Sequence, residues 1–366
     1  MDRATTFRVP LIDLKAQYLS LKEEIDEAVA HVHEKGNYVM GEQVSRFEKE
    51  WARDCNAKYC VATSSGTDAI YLGVRSSATV FGGTHIALIP AFTFIATYEA
   101  VHRAGLAHSI HLADVEEDTA VISEESFHKA VDLYGTCLCI PVNLYGKKSM
   151  KTAPRPGCLM LEDAAQSHGV PLSGDIAAYS FYPTKNLGAS GQAGALVTND
   201  VNIYAQAGIL RAHAEGVYRF HHESLSGNYR MDELQAAILR VKRPHLKRWN
   251  QRRREIARIY RQAFEGILKM QEDSPEHVYH VFAVRHPKIE ELSIHLAKSG
   301  IQTASRYPLA LHQQEALSGL GYKEGDFPNA ERWARENLSL PIYPELSDEK
   351  VGYVVEEVLK WIDLQD

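Results

Sequence analysis

The sequence predicts an α/β fold, with a large domain built on a mostly parallel central sheet flanked by helices and a smaller C-terminal α+β domain. Short apolar runs alternate with amphipathic segments from about residue 58 to residue 199, as strands joined by crossover helices do. The 366 residues are also more than one core usually holds. Pro244 interrupts a helical pattern, so we place the large domain at 1–243 and the small domain at 244–366.

The N-terminal residues carry two helical patterns. Apolar residues recur at helical spacing from Leu14 to Glu34, and Gly36 followed by Asn37 predicts the end of that helix. A second helix is predicted because four apolar residues share one side, namely Val44, Phe47, Trp51 and Ala52.

Apolar runs and periodic stretches place the remaining elements. The predicted strands are 59–62, 85–90, 106–114, 136–144, 157–161, 196–198 and 279–285. The predicted helices are 124–132, 200–212, 231–241, 245–264, 290–299, 332–338 and 350–362.

Composition excludes several classes of protein. A net charge of −7 gives no general reason to expect a nucleic-acid partner, and we interpret the basic runs 240–243 and 252–254 as solvated helix faces or subunit contacts. The five cysteines lie mostly within apolar runs, which suits a reducing compartment. Residues 1–10 lack the apolar core of a signal peptide, and no apolar run is long enough to span a bilayer. We therefore predict a cytoplasmic protein without a membrane partner.

Two strand ends carry the residues with the clearest chemistry. Lys185 follows a short apolar run that becomes a loop at Pro183, and Asp163 follows the run 157–161. The carboxyl ends of neighbouring strands in an open α/β sheet face one ligand site. A desolvated lysine amine attacks carbonyls, and an acid can face a pyridinium nitrogen, so the pair suits pyridoxal phosphate. Taken singly, a surface lysine and a helix N-cap are the simpler interpretations.

A phosphate site is predicted where strand 59–62 turns into a helix. The turn, Ser64 to Asp68, is rich in small and hydroxyl residues, and a helix start offers N–H groups and a positive dipole end. Plain N-capping of that helix is an equally good reading of the same residues. Phe94, after the strand 85–90, is predicted to stack on a planar cofactor ring, with a place in the core as the alternative.

Five ordered segments resemble the DegT/DnrJ/EryC1/StrS family of sugar aminotransferases, which are fold-type I pyridoxal-phosphate enzymes. The resemblance covers nearly the whole chain, and the matching segments are 64–69, 90–97, 162–169, 179–189 and 227–237. Gln192 and Ala193 depart from the family pattern, which usually has an acidic residue and a glycine there.

The resemblance implies a role for each site residue. Lys185 holds the cofactor aldehyde and moves a proton, Asp163 keeps the ring nitrogen protonated, and Gln166 bonds the ring hydroxyl. The phosphate is expected to be held by Gly66, Thr67, Ser180 and Asn228, of which Asn228 comes from the other subunit. The resemblance therefore also implies a homodimer with shared active sites.

The resemblance implies that nitrogen passes from L-glutamate, giving 2-oxoglutarate, to a nucleotide-linked keto sugar. The segments around Lys185 and Arg230 are most similar to branches that aminate C-3 of a dTDP-3-keto-6-deoxyhexose, while C-4 amination of a UDP-, GDP- or dTDP-4-keto sugar stays open. The pathway is also open between surface polysaccharide, such as lipopolysaccharide O-antigen, and a secondary metabolite. We name as candidate substrate residues His168, Tyr182, Arg211, Tyr218, Arg219, Arg306 and His312.

Two other functions compete with an aminotransferase, and a metal site is a separate question. In sugar dehydratases of the same fold a histidine replaces the lysine, so Lys185 argues against that class. A regulator or nucleotide-sugar binding protein that kept the fold is a non-catalytic alternative. A metal site is not predicted, since the histidines near residues 213–222 have irregular spacing and no HExxH pattern is present.

Overall fold

The computed structural model describes residues 7–81, 86–106, 109–134, 137–150, 158–216 and 218–365. The helices described there are α1 Leu14–Ser20, α2 Lys22–Lys35, α3 Glu42–Asp54, α4 Gly66–Phe81, α5 Ala96–Val101, α6 Glu124–Tyr134, α7 Val201–Leu210, α8 Glu233–Lys242, α9 Leu246–Phe264, α10 Ile289–Lys298, α11 Pro328–Glu336 and α12 Asp348–Asp363. The strands are β1 Tyr59–Thr63, β2 Ile86–Pro90, β3 Ile110–Ala113, β4 Cys137–Cys139, β5 Leu159–Asp163, β6 Ile176–Ser180, β7 Gly194–Thr198, β8 Lys269–Met270, β9 Phe282–Arg285 and β10 Asn337–Leu340.

In the described ranges, seven strands form one sheet in the order β1-β7-β6-β5-β4-β2-β3. The pairs from β6 through β5, β4 and β2 to β3 are all parallel. β7 is antiparallel to both of its neighbours, β1 and β6. The predicted α/β class with a mostly parallel sheet is therefore confirmed, with one reversed strand that the sequence pattern did not reveal.

The side chains of this sheet divide between two faces, as the period of two in a strand requires. In β6, Ile176 and Ala178 pack with α4, α5 and α7, whereas Ala177 and Tyr179 pack with α3 and α8. β7 repeats the division, because Leu196 joins the first cluster and Val197 the second. Helices thus cover both faces, and the carboxyl ends of the parallel strands stay open at one edge.

The C-terminal part builds a second core. β10, β9 and β8 form an antiparallel sheet in that order within the described residues. One apolar cluster joins this sheet to α9, α10 and α12, and Val9 from the N-terminal segment also packs into it. The division at Pro244 stays a prediction, since α9 contributes Leu246 and Trp249 to the cluster of the large sheet.

Some predicted boundaries were wrong. The helix predicted from Leu14 to Glu34 is two helices, separated at Leu21, which has non-helical backbone angles. The helix predicted at 332–338 ends at Glu336, and Asn337–Leu340 is a fully buried strand because it pairs with β9. Tertiary pairing there overrides local helix propensity.

Glu233, the first residue of α8, holds the start of α3. Its carboxylate accepts hydrogen bonds from the backbone N–H groups of Gly41, Gln43 and Val44 at 2.8, 2.7 and 3.0 Å, and the side chain is 2% exposed. A negative charge at a helix N-terminus is favourable, and it satisfies donors that otherwise lack partners. Glu233 therefore joins two helices that lie about 190 residues apart in the chain.

Replacing Glu233 with alanine is expected to lower the free energy of unfolding by about 3–5 kcal/mol, because three N–H groups lose an ionised acceptor. Urea unfolding followed by circular dichroism measures the change. Glu27→Ala is the matched control, since Glu27 is exposed on α2, and its effect should stay within about 0.5 kcal/mol. Equal effects for the two variants would contradict this role of Glu233.

Candidate active site

A cavity of about 640 Å³ opens at the carboxyl ends of β1, β2, β5 and β6. This volume is in the range of small-molecule sites. The predicted site residues that line it are Gly66, Thr67, Phe94, Asp163, Gln166, Ser180, Tyr182, Lys185 and Arg306. The structure therefore brings together nine of the fifteen predicted residues, from segments spread over more than two hundred positions.

The loop that carries Lys185 is fixed on both sides of that residue. The Lys185 N–H donates to the Tyr182 carbonyl at 2.8 Å, which closes a turn after β6. The next side chain, Asn186, is buried, and its amide donates to Asn250 Oδ1 at 2.9 Å and to the Val278 carbonyl at 3.0 Å. Because α9 and the segment before β9 hold Asn186, the amine beside it has a defined position.

Gly188 closes the same loop in a way that only glycine permits. A Cβ atom there would lie 2.2 Å from the carbonyl oxygen of Pro183, far inside van der Waals contact. The Gly188 carbonyl accepts a hydrogen bond from Lys242 Nζ at 2.9 Å. The chain can therefore fold back beneath Lys185 and return toward β7.

Lys185 has the environment of a nucleophilic amine. The pKa of this amine is lowered to about 8, chiefly by burial and to a lesser extent by the charge of Arg306, while Asp163 acts in the opposite direction. A lower pKa leaves more of the amine neutral near pH 7, which is the form that attacks a carbonyl.

Asp163, at the end of β5, is a buried carboxylate whose hydrogen-bond donors among the described residues are both neutral. Thr97 Oγ1 donates to one oxygen at 2.8 Å, and the Ala165 N–H donates to the other at 3.2 Å. Burial raises the pKa of this carboxyl, while those two donors and Lys185 oppose the rise. Such a group favours a ligand that brings a cationic N–H, because that partner offsets the cost of the buried charge.

Gln166 is oriented from two directions. Its Oε1 accepts a hydrogen bond from the Tyr145 N–H at 2.7 Å, and its Nε2 donates to the Tyr307 hydroxyl at 3.2 Å. Tyr307 also lies against Phe94, with ring centroids 5.4 Å apart, and Phe94 itself is half exposed into the cavity. An aromatic ring and an amide thus border the space between Asp163 and Lys185.

The start of α4 forms the polar end of the cavity. Gly66 is packed against Ser180, because a Cβ at Gly66 would lie 2.6 Å from Ser180 Cβ. Thr67, Ser180 and the N-terminal N–H groups of a 16-residue helix line this end. Helix N-termini and hydroxyls bind phosphate without needing a cation.

Two candidate histidines lie outside the cavity lining. His168 is fully buried, with Trp51, Tyr179 and Phe181 rings within 6 Å of its ring, and burial lowers its pKa to about 3. His312 is buried and its Nε2 lies 3.0 Å from Glu331 Oε1. The structure places both in packing roles, so we omit them from the proposed site.

Arg211 is likewise engaged elsewhere. Its guanidinium pairs with Glu48 and donates to the Ala62 carbonyl at 3.1 Å, and the residue is only 8% exposed. The diphosphate role expected from its charge is therefore not supported, because the charge already has a buried partner.

The remaining three candidates are exposed away from the cavity lining. Tyr218 is 77% exposed, and the Arg219 guanidinium lies over the Phe220 ring at 4.8 Å. Asn228 is exposed, and its Oδ1 accepts a hydrogen bond from Arg230 Nε at 2.8 Å. None of these side chains belongs to the site within a single chain.

The structure adds three residues that sequence reasoning missed, two in the cavity lining and one that contacts Asp163. His280 lines the cavity and its Nδ1 lies 3.1 Å from Asn186 Oδ1. Thr97 and Tyr307 contact Asp163 and Gln166 as described above. A hydroxyl inside a helix and two residues from the C-terminal third carry no local signal for such a role, although Tyr307 directly precedes Pro308 in a predicted loop.

The described residues include neither a membrane-spanning helix nor a metal-binding cluster. Among the helices described, none is both long and apolar enough to cross a membrane. Within the same ranges, no group of three or more His, Cys, Asp or Glu residues is arranged to hold a metal ion.

Comparison with known proteins gives consistent matches along the whole chain. The model of the DegT/DnrJ/EryC1/StrS aminotransferase family matches residues 19–359. The chain is 36% identical to dTDP-3-amino-3,4,6-trideoxy-alpha-D-glucose transaminase of Streptomyces venezuelae, with 100% of this chain and 99% of that protein covered. It is 38% identical to a protein of Geobacillus stearothermophilus named pleiotropic regulatory protein, with 96% and 98% covered.

A solved structure agrees with the sequence matches. The fold is similar to that of S. venezuelae DesV in complex with a ketimine intermediate, with a TM-score of 0.89 and 34% identity. That similarity covers 98% of this chain and 99% of DesV.

Proposed function

Because this chain belongs to the DegT/DnrJ/EryC1/StrS aminotransferase family, we propose that it transfers an amino group from L-glutamate to C-3 of a dTDP-3-keto-6-deoxyhexose. The enzyme is a pyridoxal-phosphate-dependent sugar aminotransferase. The observation that carries the proposal is that Lys185 and Asp163 line one cavity of ligand size.

The cavity residues fit this cofactor. Asp163 is a buried carboxylate suited to a cationic N–H, and Lys185 is an amine with a lowered pKa. The start of α4 with Ser180 would hold the phosphate, Gln166 the ring hydroxyl, and Phe94 a face of the ring. When bound, the cofactor supplies an aldehyde for amine exchange and a ring that accepts electrons.

The protein's own groups then have separate tasks. Lys185 Nζ would remove the proton from the donor's α-carbon as a general base and later donate a proton as a general acid. Asp163, as a carboxylate, would accept a hydrogen bond from the protonated ring nitrogen and so keep that nitrogen protonated. Val142, which is buried, and Ala165, which is partly exposed, line the cavity and would limit the access of water there.

The C-3 assignment is supported by similarity. The S. venezuelae relative is named for a sugar with its amino group at C-3, and the match covers the full chain. C-4 amination of another nucleotide sugar remains the alternative, since the described cavity lining shows no contact that selects one carbon. Tyr182, 45% exposed at the cavity, is the residue we assign to the nucleotide sugar. Cytoplasmic location and the lack of a nucleic-acid partner stay predictions of composition.

A regulatory role is the second candidate, because one similar protein is named a pleiotropic regulatory protein. An aminotransferase converts L-glutamate to 2-oxoglutarate, whereas a regulatory protein does not. As purified with cofactor, an aminotransferase should lose its visible absorbance when L-glutamate is added and regain it with 2-oxoglutarate. If L-glutamate does not change the visible spectrum, the protein is a binding or regulatory protein.

A panel of dTDP-, UDP- and GDP-linked keto sugars tests the acceptor. We expect a mass gain and an aminated C-3 by NMR only with a dTDP-3-keto-6-deoxyhexose. Amination at C-4, or preference for another nucleotide, would overturn the substrate assignment but leave the enzyme class intact.

We also propose a homodimer in which Asn228 reaches the phosphate of the partner's site. Asn228 is exposed, and several apolar side chains near its segment or at the cavity are exposed as well: Tyr38, Val39, Met40, Phe94, Tyr182, Phe220 and Leu225. Exposed apolar surface of this kind marks protein interfaces.

Mixed dimers of Lys185→Ala and Asn228→Asp chains test the shared site. Each homodimer should be impaired, the second because a carboxylate repels the phosphate. The mixed dimer contains one site with both native residues, so we expect about half of the wild-type activity per dimer. Activity no higher than that of the Asn228→Asp homodimer would place Asn228 in its own chain's site.

The pKa of Lys185 predicts how the apoenzyme takes up its cofactor. Only the neutral amine attacks the aldehyde, and a pKa of about 8 makes the neutral fraction rise about tenfold per pH unit below pH 8 and level off above it. Stopped-flow absorbance measures this uptake rate. A rate that continues to rise until pH 10 would show an amine with an ordinary pKa.

A further inference from the structure

Arg306 is a half-buried arginine that lines the active-site cavity from the C-terminal part of the chain. Its backbone is held firmly, since its N–H donates to Asn337 Oδ1 at 2.8 Å and its carbonyl accepts from the Tyr145 hydroxyl. Asn337 is itself buried and its amide donates to the Trp333 carbonyl at 2.7 Å. The base of the side chain therefore has a fixed position.

The guanidinium of Arg306, by contrast, has neither an ion pair nor a hydrogen bond among the described residues. Three of the other sheltered arginines in those ranges are engaged. Arg211 pairs with Glu48, Arg240 with Glu50, and Arg253 donates to the Ile342 carbonyl at 2.6 Å. A partly desolvated cation without a counter-ion costs free energy, so an anionic ligand is the partner that this position favours.

Several anionic groups take part in the proposed reaction, and the position of the Arg306 guanidinium indicates which of them it binds. Arg306 is close enough to Lys185 and His280 to lower the pKa of both, in addition to the larger effect of burial. The phosphate end of the cavity, at Gly66 and Ser180, needs no cation. The anion at Arg306 is therefore one that lies beside the reacting amine.

An amino acid carries such an anion, because its α-carboxylate and its amine share one carbon atom. The diphosphate of a nucleotide sugar lies farther away, separated from C-3 by C-2, C-1 and the anomeric oxygen. A guanidinium also matches a carboxylate with two parallel hydrogen bonds.

We propose that Arg306 binds the α-carboxylate of the amino donor and so selects α-amino acids as nitrogen sources. This inference rests on the proposed aminotransferase function, and it replaces the diphosphate contact expected from sequence. Arg306 is thus a substrate-binding residue of the glutamate half-reaction alone.

The glutamate half-reaction of the holoenzyme, followed by visible absorbance, tests the proposal in Arg306→Gln and Arg306→Lys. Loss of a charge-assisted pair should raise the L-glutamate concentration for half-maximal rate by about 20-fold or more in Arg306→Gln, and less in Arg306→Lys. Arg258→Gln is the matched control, because Arg258 is exposed on α9 outside the cavity lining, and it should leave the glutamate half-reaction unchanged.

Two further donors separate the possible contacts. 1-Phenylethylamine has no carboxylate, so its rate should be the same in wild type and Arg306→Gln. L-2-Aminopentanoate lacks only the side-chain carboxylate of glutamate. Whether it is tested as an amino donor or as a competitor, its binding should be weakened by Arg306→Gln as much as the binding of glutamate is. A loss confined to glutamate would place Arg306 on the side-chain carboxylate and overturn the proposal.

Kinetic assays with the nucleotide sugar can contradict the proposal. A raised KM for the dTDP sugar with an unchanged glutamate half-reaction would assign Arg306 to the diphosphate. If the wild-type spectrum does not respond to L-glutamate at all, the proposed function fails. Calorimetry with 2-oxoglutarate then still decides about Arg306: tight binding that Arg306→Gln abolishes supports a carboxylate site, and equal or absent binding excludes it.

Discussion

Replacing Lys185 with alanine is expected to lower kcat/KM for amino transfer by about 10⁴-fold or more, since one side chain both holds the cofactor aldehyde and moves the proton. The protein should still fold, because the amine makes no hydrogen bond among the described residues and pays a desolvation cost. We expect the free energy of unfolding to change by less than about 1 kcal/mol. Assays with L-glutamate and a dTDP-3-keto sugar measure the activity.

Lys247→Ala is the control for this variant, because Lys247 is exposed on α9. It should keep wild-type activity. If Lys185→Ala retained the glutamate half-reaction, the amine at 185 would not be the catalytic group, whatever its effect on stability.

Asp163→Asn has the second largest expected effect. Asparagine keeps the shape and can still accept the hydrogen bond from Thr97, but it cannot hold a proton on the ring nitrogen by charge. We expect kcat to fall about 10³-fold, in the range of lost electrostatic stabilisation at active sites. The absorbance maximum of the bound cofactor should shift as well, since the ring nitrogen loses its proton.

Asp175→Asn provides the matched comparison. Asp175 precedes β6, is exposed, and accepts a hydrogen bond from the Met160 N–H outside the cavity. Its replacement should leave kcat within about twofold, as for most surface substitutions. If the activity of Asp163→Asn stays within tenfold of wild type, the charge of Asp163 is not required for catalysis.

The part of the site at strand ends could be predicted from sequence, and the reason is geometric. Asp163 and Lys185 follow consecutive parallel strands, whose carboxyl ends meet at one edge of a sheet. Local turn chemistry likewise located the start of α4 after β1. These inferences need only the order of elements along the chain.

Pairings between distant residues could not be predicted in that way. Arg211 and Glu48 lie 163 positions apart, and nothing near Arg211 in sequence shows that its charge is already paired. The reversal of β7 is a further case, because the strand pattern does not depend on direction. His280 and Tyr307 reach the cavity only through packing of the C-terminal part against the sheet.

The most direct test of the central claim, that Lys185 is the amine that binds the cofactor aldehyde, is to reduce the holoenzyme with borohydride and map the modified peptide by mass spectrometry. We predict a phosphopyridoxyl group on Lys185. Lys242 is the informative alternative, since burial also lowers its pKa to about 8, but its amine donates to Gln17 and Gly188 outside the cavity. Label on Lys242, or on any lysine other than Lys185, would contradict the account.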